Sequence, residues 1–274
     1  MDRLVLSMLC ITLSANALAG GADIVASDNE VGIQFISTYV DYSETGNGLL
    51  GTDRGTLDTE DGSVPGAAAF LSLMLGAHNL YLQASYDHSR LYTGYTGSLQ
   101  GGHFGSVVAT SGAALTNYSA RLGKGFAIDD QFMLTPYVEA GRHRWDRGIN
   151  DGEIYTHEYS GLGVLAQYSP AGESRAVLSA QFLIGSTHAS YIVVMPGTGN
   201  AGFSGALGNS RLERFGVAAD YALTRRVHLG AGIEHTSFQY GMSAVYPAGG
   251  GLMAWEPDSK THYTTYRLGL GFAL

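Results

Sequence analysis

The last eight residues of the chain, Arg267-Leu-Gly-Leu-Gly-Phe-Ala-Leu274, alternate between two kinds of side chain. The apolar positions are Leu268, Leu270, Phe272 and Leu274, and between them stand Arg267, Gly269 and Gly271. An alternation with a period of two predicts a β-strand that has one apolar face. A soluble domain seldom ends in this way, because chain termini are usually solvated. We therefore expect this strand to place its leucines against an apolar environment and its glycines and arginine against an interior.

The same alternation occurs in nine further segments, which makes ten predicted strands. They are Val31–Tyr42, Ala67–Gly76, Leu80–Asp87, Asn117–Gly123, Phe132–Arg144, Tyr155–Tyr168, Ala176–Ser186, Arg214–Tyr221 and Val227–Glu234, and the tenth begins at His262. Several exceed the five or six residues that are usual in a globular sheet and reach the roughly 9–11 that span a bilayer.

The connections between these segments alternate between short and long. Short connections are predicted at Gly76–Asn79, Ala127–Gln131, Ala171–Ser174 and Thr224–Arg226. Long ones are predicted at Ser43–Gly66, Thr93–Ser111, Ile149–Ile154, Met195–Ser210 and Tyr246–Lys260. Short turns on one rim and long loops on the other are typical of transmembrane barrels. A soluble β-sandwich, the alternative, would show no such difference.

We therefore predict an all-β fold, a transmembrane antiparallel up-and-down β-barrel of ten strands, with eight or twelve strands as alternatives. Closure has a physical reason, because unpaired backbone groups in hydrocarbon cost several kcal/mol each. Aromatic residues near strand ends are predicted to form interfacial girdles. These residues are Tyr92, Trp145, Tyr168, Tyr191, Tyr221, Tyr240 and Tyr266.

Residues 1–19 read as a secretory signal peptide, with one basic residue, an apolar run and a small-x-small end at Ala17-Leu-Ala19. Residues 20–274 then form a single barrel domain. Charged residues are 14% of the chain, against about 25% in soluble domains. The net charge is −9, without a basic block, which argues against nucleic acid as a partner. Cys10, the only cysteine, lies in the signal segment, which leaves no thiol or disulfide chemistry for the barrel.

Seven charged residues lie on the polar face of the predicted strands, where they would meet inside the barrel. This lumen charge network comprises Asp87, Arg121, Glu139, Arg214, Asp220, Glu234 and Arg267. A ten-stranded barrel is only slightly wider than the eight-stranded barrels whose side chains fill the interior. Because unpaired buried charge is expensive, we predict a paired polar plug. A narrow charge-lined channel or a proton path is the alternative.

The chain resembles the small porin-family and OmpA-like barrels of Gram-negative outer membranes. The C-terminal assembly signal of that class is a polar residue followed by x-Gly-x-x-aromatic-x-hydrophobic, and Arg267, Gly269, Phe272 and Leu274 hold these places in order. The class most often has phenylalanine where this chain has Leu274. The resemblance implies location in the bacterial outer membrane, contact with outer-membrane lipid, delivery by periplasmic chaperones and recognition by the barrel assembly machinery.

The sequence offers little sign of catalysis. The omptin proteases are ten-stranded barrels with acidic residues and a histidine at the outer rim, and the local candidates here are Asp87-His88 and Glu234-His235. Adjacent strand residues point to opposite faces, so neither pair can share a cleft. Five histidines fall toward the loop ends of their strands, where a metal site or a catalytic rim is the alternative prediction: His143, His157, His188, His235 and His262. We predict no catalytic, cofactor-binding or metal-binding residues.

The leading functional prediction is a non-enzymatic surface or structural protein that presents external loops for adhesion or envelope integrity. Loops on a rigid scaffold often carry function, and residues 43–66 and 195–210 are the expected sites for an extracellular ligand. A small porin or channel is the alternative, and an omptin-type outer-membrane hydrolase ranks third.

Overall fold

The computed structural model describes residues 21–48, 54–98, 102–150, 152–170, 175–197, 201–249 and 252–274. The predicted signal peptide, residues 1–19, lies outside these ranges. One short helix, α1, covers Ala22–Ser27. The strands are β1 (Glu30–Asn47), β2 (Arg54–Leu75), β3 (Leu80–Gly97), β4 (Val107–Lys124), β5 (Phe126–Ala127), β6 (Phe132–Arg147), β7 (Glu153–Tyr168), β8 (Ala176–Val194), β9 (Phe203–Ala206), β10 (Arg211–Ala222), β11 (Val227–Tyr240), β12 (Tyr246–Gly249), β13 (Leu252–Ala254) and β14 (Asp258–Ala273).

Ten of these strands close into a barrel. Each pairs antiparallel with the next in the order β1, β2, β3, β4, β6, β7, β8, β10, β11 and β14. The circle closes because β14 also pairs with β1, from Glu30 opposite Ala273 to Thr45 opposite Asp258. The prediction of an all-β, ten-stranded antiparallel barrel is confirmed. Short strands β5 and β9 extend the sheet beside β6 and β8, and β12 pairs with β13.

The outside of the barrel carries an apolar band in one half of its length. We call the end that holds Glu30 and Ala273 the lower end and the opposite end the upper end. Outward-facing residues in the lower half are large and apolar, with Ile33 66%, Phe35 62%, Leu162 64% and Leu268 55% exposed. Along β14 and the residue after it, the band runs from Leu274 to Tyr266, which is nine residues and about the length that a tilted strand needs to cross hydrocarbon.

Above this band the strands continue, but their outer face becomes polar. The outward residues there include Asp41, Asp61, Arg144, Glu158 and Lys260. Strands β1 and β2 remain paired as far as Asn47 opposite Arg54. The prediction of a loop at Ser43–Gly66 is therefore wrong for most of its length, because backbone pairing outlasts the apolar pattern. Residues 195–210, the other expected ligand loop, contain the short strand β9.

Helix α1 covers the lower mouth of the barrel. Ile24 is fully buried, and Asn29 joins the segment to β2, since its Nδ2 donates to Met74 O at 3.2 Å and its Oδ1 accepts from Met74 N–H at 2.9 Å. Ser169 Oγ donates to Asp23 Oδ2 at 3.2 Å on the opposite wall. The segment that contains α1 therefore covers the lower opening of the barrel.

Nowhere in the described ranges is there a helix whose length and hydropathy would let it cross a bilayer.

Aromatic side chains fill the upper half of the interior. Tyr42, Trp145, Tyr155 and Tyr240 are at most 1% exposed, and the Tyr42 ring packs edge-on against Trp145 with centroids 5.1 Å apart. The interfacial placement predicted for Trp145 and Tyr240 is therefore wrong, since both point inward above the band. Their strands extend past the apolar band, and the inner face there needs bulky side chains to close-pack.

Candidate functional site in the barrel lumen

The centre of the lumen is crossed by an ion-pair network around Glu139 on β6. Arg121 Nε donates to Glu139 Oε2 at 2.7 Å, and Arg214 Nη1 donates to Oε1 at 2.5 Å. Tyr159 OH donates to the same Oε1 at 2.7 Å. The three donors come from β4, β10 and β7, so Glu139 ties several walls together across the bore.

Two further pairs complete this middle network. Arg267 makes a bidentate contact with Asp87, because Nη1 donates to Oδ1 at 3.1 Å and Nη2 donates to Oδ2 at 2.7 Å. Glu234 Oε1 lies 3.5 Å from Arg214 Nε and 3.9 Å from Arg267 Nη2. The middle network therefore contains three arginines and three carboxylates, and its formal charges cancel.

Asp220, the seventh residue of the predicted network, lies apart from the other six. Its Oδ1 is 2.8 Å from Nδ1 of His228, and the same nitrogen lies 3.8 Å from Glu30 Oε2. We call Asp28, Glu30, Asp220 and His228 the lower cluster. It lies below the middle network, where β1, β10 and β11 end near α1. Glu30 stands one residue before the first predicted strand, and Asp28 two residues earlier.

A second ion-pair network, which the sequence analysis missed, closes the upper lumen. Arg147 Nε donates to Glu60 Oε2 at 2.8 Å, and Arg147 Nη1 donates to Glu153 Oε2 at 2.8 Å. Glu44 and Asp58 lie 3.2 and 3.6 Å from the same guanidinium group. The Arg147 side chain is fully buried and also lies 4.6 Å from the centroid of the Tyr42 ring. We call these five residues, together with Glu256, the upper network.

The upper network is strongly unbalanced, because five carboxylates surround one arginine. Glu256 joins it through Tyr155, whose OH donates to Glu256 Oε1 at 2.5 Å. Burial, followed by repulsion from Glu44, raises the pKa of Asp58 to about 9. Burial also raises the pKa of Glu153 and of Glu256 above the ordinary range of a carboxyl group. Asp58 is therefore protonated at neutral pH, which lowers the negative charge crowded into this small space.

Two histidines lie between the middle and upper networks. The rings of His143 and His157 are 5.1 Å apart, His143 Nε2 is 3.1 Å from Tyr263 OH, and His157 Nδ1 is 2.9 Å from Tyr240 OH. Both are buried inside the barrel, so the rim placement considered for them is wrong. Burial lowers the pKa of His143 to about 3 and lowers that of His157 as well. Two neutral imidazoles here act as packing and hydrogen-bonding groups.

Below these histidines the lumen encloses a polar cavity of about 270 Å³. Its walls include Arg121 and Arg214 of the middle network, and Asp28, Glu30 and Asp220 of the lower cluster. The cavity has room for several water molecules or a small ion, and it is bounded above by aromatic rings and below by α1. The aromatic rings and α1 therefore interrupt the bore above and below this cavity.

The two acid–histidine dipeptides are split between the faces of the wall. Asp87 and Glu234 point inward to arginines, whereas His88 and His235 are exposed on the outside. His235 stacks on His262 with centroids 5.7 Å apart, which makes an exterior histidine pair. Neither dipeptide places its acid beside its own histidine.

The C-terminal residues of the predicted assembly signal lie along the closing strand. Arg267 faces the lumen, and Phe272 and Leu274 are 48% and 69% exposed on the outside. Gly269 packs against the backbone of Gln34 on β1, so closely that a Cβ atom there would collide with it. Glycine at this position thus permits close approach of the first and last strands.

Comparisons with known proteins show similarity in fold and none in sequence. No family model matches the sequence, and no curated protein is significantly similar to it. The outer-membrane protease OmpT from Escherichia coli has a similar structure, with a TM-score of 0.55 and 9% identity over 89% of this chain and 95% of that one. The translocator domain of the autotransporter NalP from Neisseria meningitidis matches with a TM-score of 0.40 and 12% identity, over 89% of this chain and 88% of that one. OprG from Pseudomonas aeruginosa matches with a TM-score of 0.35 and 10% identity, over 90% and 97%. The chain has the closed antiparallel fold of the outer-membrane β-barrel proteins.

Proposed function

We propose that the protein is a non-enzymatic barrel of the bacterial outer membrane, with a closed lumen and a rigid upper half that serves as a surface for contact outside the cell. The apolar band supports this placement, because its height suits one crossing of the hydrocarbon layer. The polar outer face above the band would then stand in the extracellular space. Both described ends would lie on the periplasmic side, where the chain arrives.

The observation that carries the proposal is closure of the lumen at three levels. The upper network and its aromatic neighbours fill the outer end, the middle network crosses the centre, and α1 covers the lower mouth. In a barrel of this width each level alone leaves little room for ions. A display function is compatible with such a plug, whereas a porin needs an open path.

Reconstitution in planar bilayers tests closure. We expect no discrete conductance steps from the folded chain, and none from a variant that lacks residues 22–27, because the middle and upper networks remain. Refolding is checked by heat-modifiable migration on gels. Stepwise conductance from the unaltered chain would overturn the proposal in favour of the porin alternative.

The upper rim has features of a contact surface. Phe104 and Val108 are 46% and 77% exposed, although they lie beyond the apolar band. Neighbouring connections pack on each other, since the Phe203 ring stacks on Tyr246 at 5.3 Å and Leu207 is fully buried. Contiguous exposed apolar patches are typical of interaction sites, and Phe104 and Val108 are the residues we propose for one here.

Surface binding can be measured with whole cells that display the protein. We expect binding to extracellular matrix or host-cell surfaces to fall when Val108 is replaced by Asp, and when residues 43–66 are shortened to a tight hairpin. The exposed substitution Glu158→Gln, lower on the wall, is the matched control. Equal binding by all four forms would count against an adhesive role and leave an envelope role in its place.

Enzymatic activity is proposed to be absent. The separation of each acid–histidine dipeptide across the wall supports this view, since a general base needs its partner within hydrogen-bond reach. The OmpT similarity concerns fold alone at 9% identity. Incubation of the refolded protein with peptide libraries and with phospholipid should give no turnover, and turnover abolished by His235→Gln or His88→Gln would revive the hydrolase alternative.

Delivery by periplasmic chaperones and recognition by the barrel assembly machinery are part of the same proposal. The outward Phe272 and Leu274 are accessible on the last strand. We expect Phe272→Ala to reduce the amount of heat-modifiable barrel in the outer membrane, with Leu270→Ala as control. Equal amounts of folded barrel from the two variants would contradict a signal at these positions.

A further inference from the structure

We propose that the lower cluster is a binding site for one divalent transition-metal ion, held by Glu30, Asp220 and His228. These residues come from β1, β10 and β11, which meet near α1 at the lower end of the lumen. The inference concerns a part of the chain that the proposed surface function does not use, and it stands independently of that function.

The donor atoms are already close together. One donor atom from each residue lies within 4.8 Å of the other two. The distance from His228 Nδ1 is 2.8 Å to Asp220 Oδ1 and 3.8 Å to Glu30 Oε2. Ligands about 2.0–2.2 Å from a common zinc ion stand roughly 3–3.5 Å apart. Small side-chain movements would therefore bring the three atoms into one coordination shell.

Unpartnered buried atoms supply a second, independent sign of a ligand. Among the described residues, no hydrogen-bond partner is found for the buried atoms Glu30 Oε2, Asp28 Oδ2 and Gln167 Oε1. The three residues are 8%, 6% and 3% exposed and line the same cavity. Such atoms are rare in folded proteins because they lose solvation without compensation. A cation in this cavity would give them a partner.

Charge balance points the same way. Asp28, Glu30 and Asp220 together carry three potential negative charges, and in the described part of the chain no ion pair joins them to a lysine or arginine. Arg121, Arg214 and Arg267, which lie above these acids, pair with the carboxylates of the middle network instead. A divalent ion would offset most of the charge that burial in this region makes costly.

The closing strand leaves space for the Glu30 carboxylate. Gly271 on β14 lies opposite Gly32 of β1 and His228 of β11. A Cβ atom at position 271 would collide with Glu30 Oε2. The glycine thus lets the carboxylate turn inward toward Asp220 and His228, instead of being pushed away from them.

The donor set selects the class of ion. Two carboxylates and one imidazole, without a thiolate, suit Zn²⁺, Mn²⁺ or Co²⁺ better than the soft Cu⁺ ion. Asp28 and Gln167 would then stand around the ligands as hydrogen-bonding or additional coordinating groups. Zn²⁺ is the probe for affinity, and Co²⁺ gives a spectroscopic signal from the same site.

The test uses the folded, detergent-solubilised barrel with His235→Gln and His262→Gln already introduced. That background removes the exterior histidine pair, which could bind metal by itself. Calorimetric titration should show one Zn²⁺ per barrel. Asp220→Asn and His228→Gln should each weaken binding by at least about tenfold, the effect usual for perturbing a metal site. The exposed Glu158→Gln substitution should leave the affinity unchanged.

A spectroscopic measurement needs no substitution in the lumen. Co²⁺ added to the background protein should give visible absorption bands of a protein-bound ion, and Zn²⁺ should displace them. Absence of both the bands and stoichiometric Zn²⁺ binding would overturn the site and leave protons to neutralise the lower cluster. Binding that Asp220→Asn and His228→Gln leave unaltered in folded protein would overturn it as well. Neither result bears on bilayer conductance, which tests the surface function separately.

Discussion

The middle and upper networks place buried charge inside the same barrel in opposite ways. In the middle network three arginines meet three carboxylates, and the formal charges cancel. In the upper network one arginine faces five carboxylates, and burial raises the pKa of Asp58, Glu153 and Glu256, for Asp58 to about 9. The first arrangement is fixed by charge pairing, and the second depends on bound protons.

The largest expected effect comes from removing the central acid of the middle network. Glu139→Met leaves Arg121 and Arg214 buried without their shared partner, and guanidinium groups cannot release a proton. We expect a loss of about 3–5 kcal/mol in unfolding free energy, measured by urea denaturation in detergent. Adding Arg214→Met restores the charge balance and should recover part of the loss. If the double variant loses as much unfolding free energy as the Glu139→Met and Arg214→Met single variants lose together, the two residues contribute independently.

Arg147→Met makes the corresponding change in the upper network and should have a pH-dependent cost. At pH 10, above the raised pKa of Asp58, the remaining carboxylates repel each other, and the loss should approach about 3–5 kcal/mol. At pH 5 they can take up protons, so the loss should be clearly smaller. Denaturation curves at the two pH values measure this difference, and equal losses would contradict the role assigned to protonation.

A charge placed on the outer wall should separate the two halves of the barrel. Leu268→Arg puts a guanidinium group into the apolar band and should cost about 2–4 kcal/mol in lipid vesicles. Ser237→Arg places the same side chain on the polar wall above the band and should cost little. Similar unfolding free energies for the two variants would mean that the bilayer does not lie where the apolar band lies.

The stability of the upper half should fall as the pH rises. Asp58, Glu153 and Glu256 ionise near pH 4 in an unfolded chain, whereas burial raises their pKa in the fold, for Asp58 to about 9. The folded state therefore binds more protons over this range, and unfolding becomes easier from about pH 4 to about pH 9. Fluorescence of Trp145 in a Trp255→Phe variant can follow the change.

Asp58→Asn is the control for this pH dependence. It removes one of the groups that must lose a proton, so the decline in urea midpoint should become shallower. Glu44, Glu60 and Arg147 also face Asp58 and remain in place in this variant. Stability that rises with pH in the unaltered chain would contradict the assignment.

The smallest effect is expected at an exposed ion pair on the upper wall. Arg144 Nε lies 2.6 Å from Asp146 Oδ1, but the two side chains are 45% and 41% exposed. Water screens such pairs, so Arg144→Met should change the unfolding free energy by about 1 kcal/mol or less. A loss as large as that of Arg147→Met would erase the distinction between wall and lumen.

Much of the barrel could be predicted from alternation alone. Segments such as Leu80–Asp87 show an apolar face toward lipid and a polar face toward the lumen, and this pattern gave the strand number. Pairing above the band could not be read in the same way, because both faces there carry polar groups. The β1–β2 hairpin thus resembled a loop in sequence, although its backbone is paired to Asn47.

The missed upper network did leave a signal in the sequence. Glu139, Gly141, His143, Trp145 and Arg147 occur at every second position, so all five share the inner face of β6. Extending that alternation past Arg144 would have placed Arg147 in the lumen. Its partners could not be paired with it from sequence, since Glu60 stands 87 positions away.

Six of the seven predicted lumen charges lie together, and Asp220 is separated because it stands near the lower end of β10.

The seam between β1 and β14 has a consequence for how the protein is made. Thr38 and Thr265 share a hydrogen bond across 227 positions of sequence. Contacts of such separation close a very large loop and form slowly. Every other neighbouring pair in the circle joins strands that are much closer in sequence. Until the seam forms, the unpaired edges of two strands stay open to pairing with other chains. The final residues therefore set the interval during which the nascent barrel is vulnerable to aggregation, and faster pairing at this edge would shorten it.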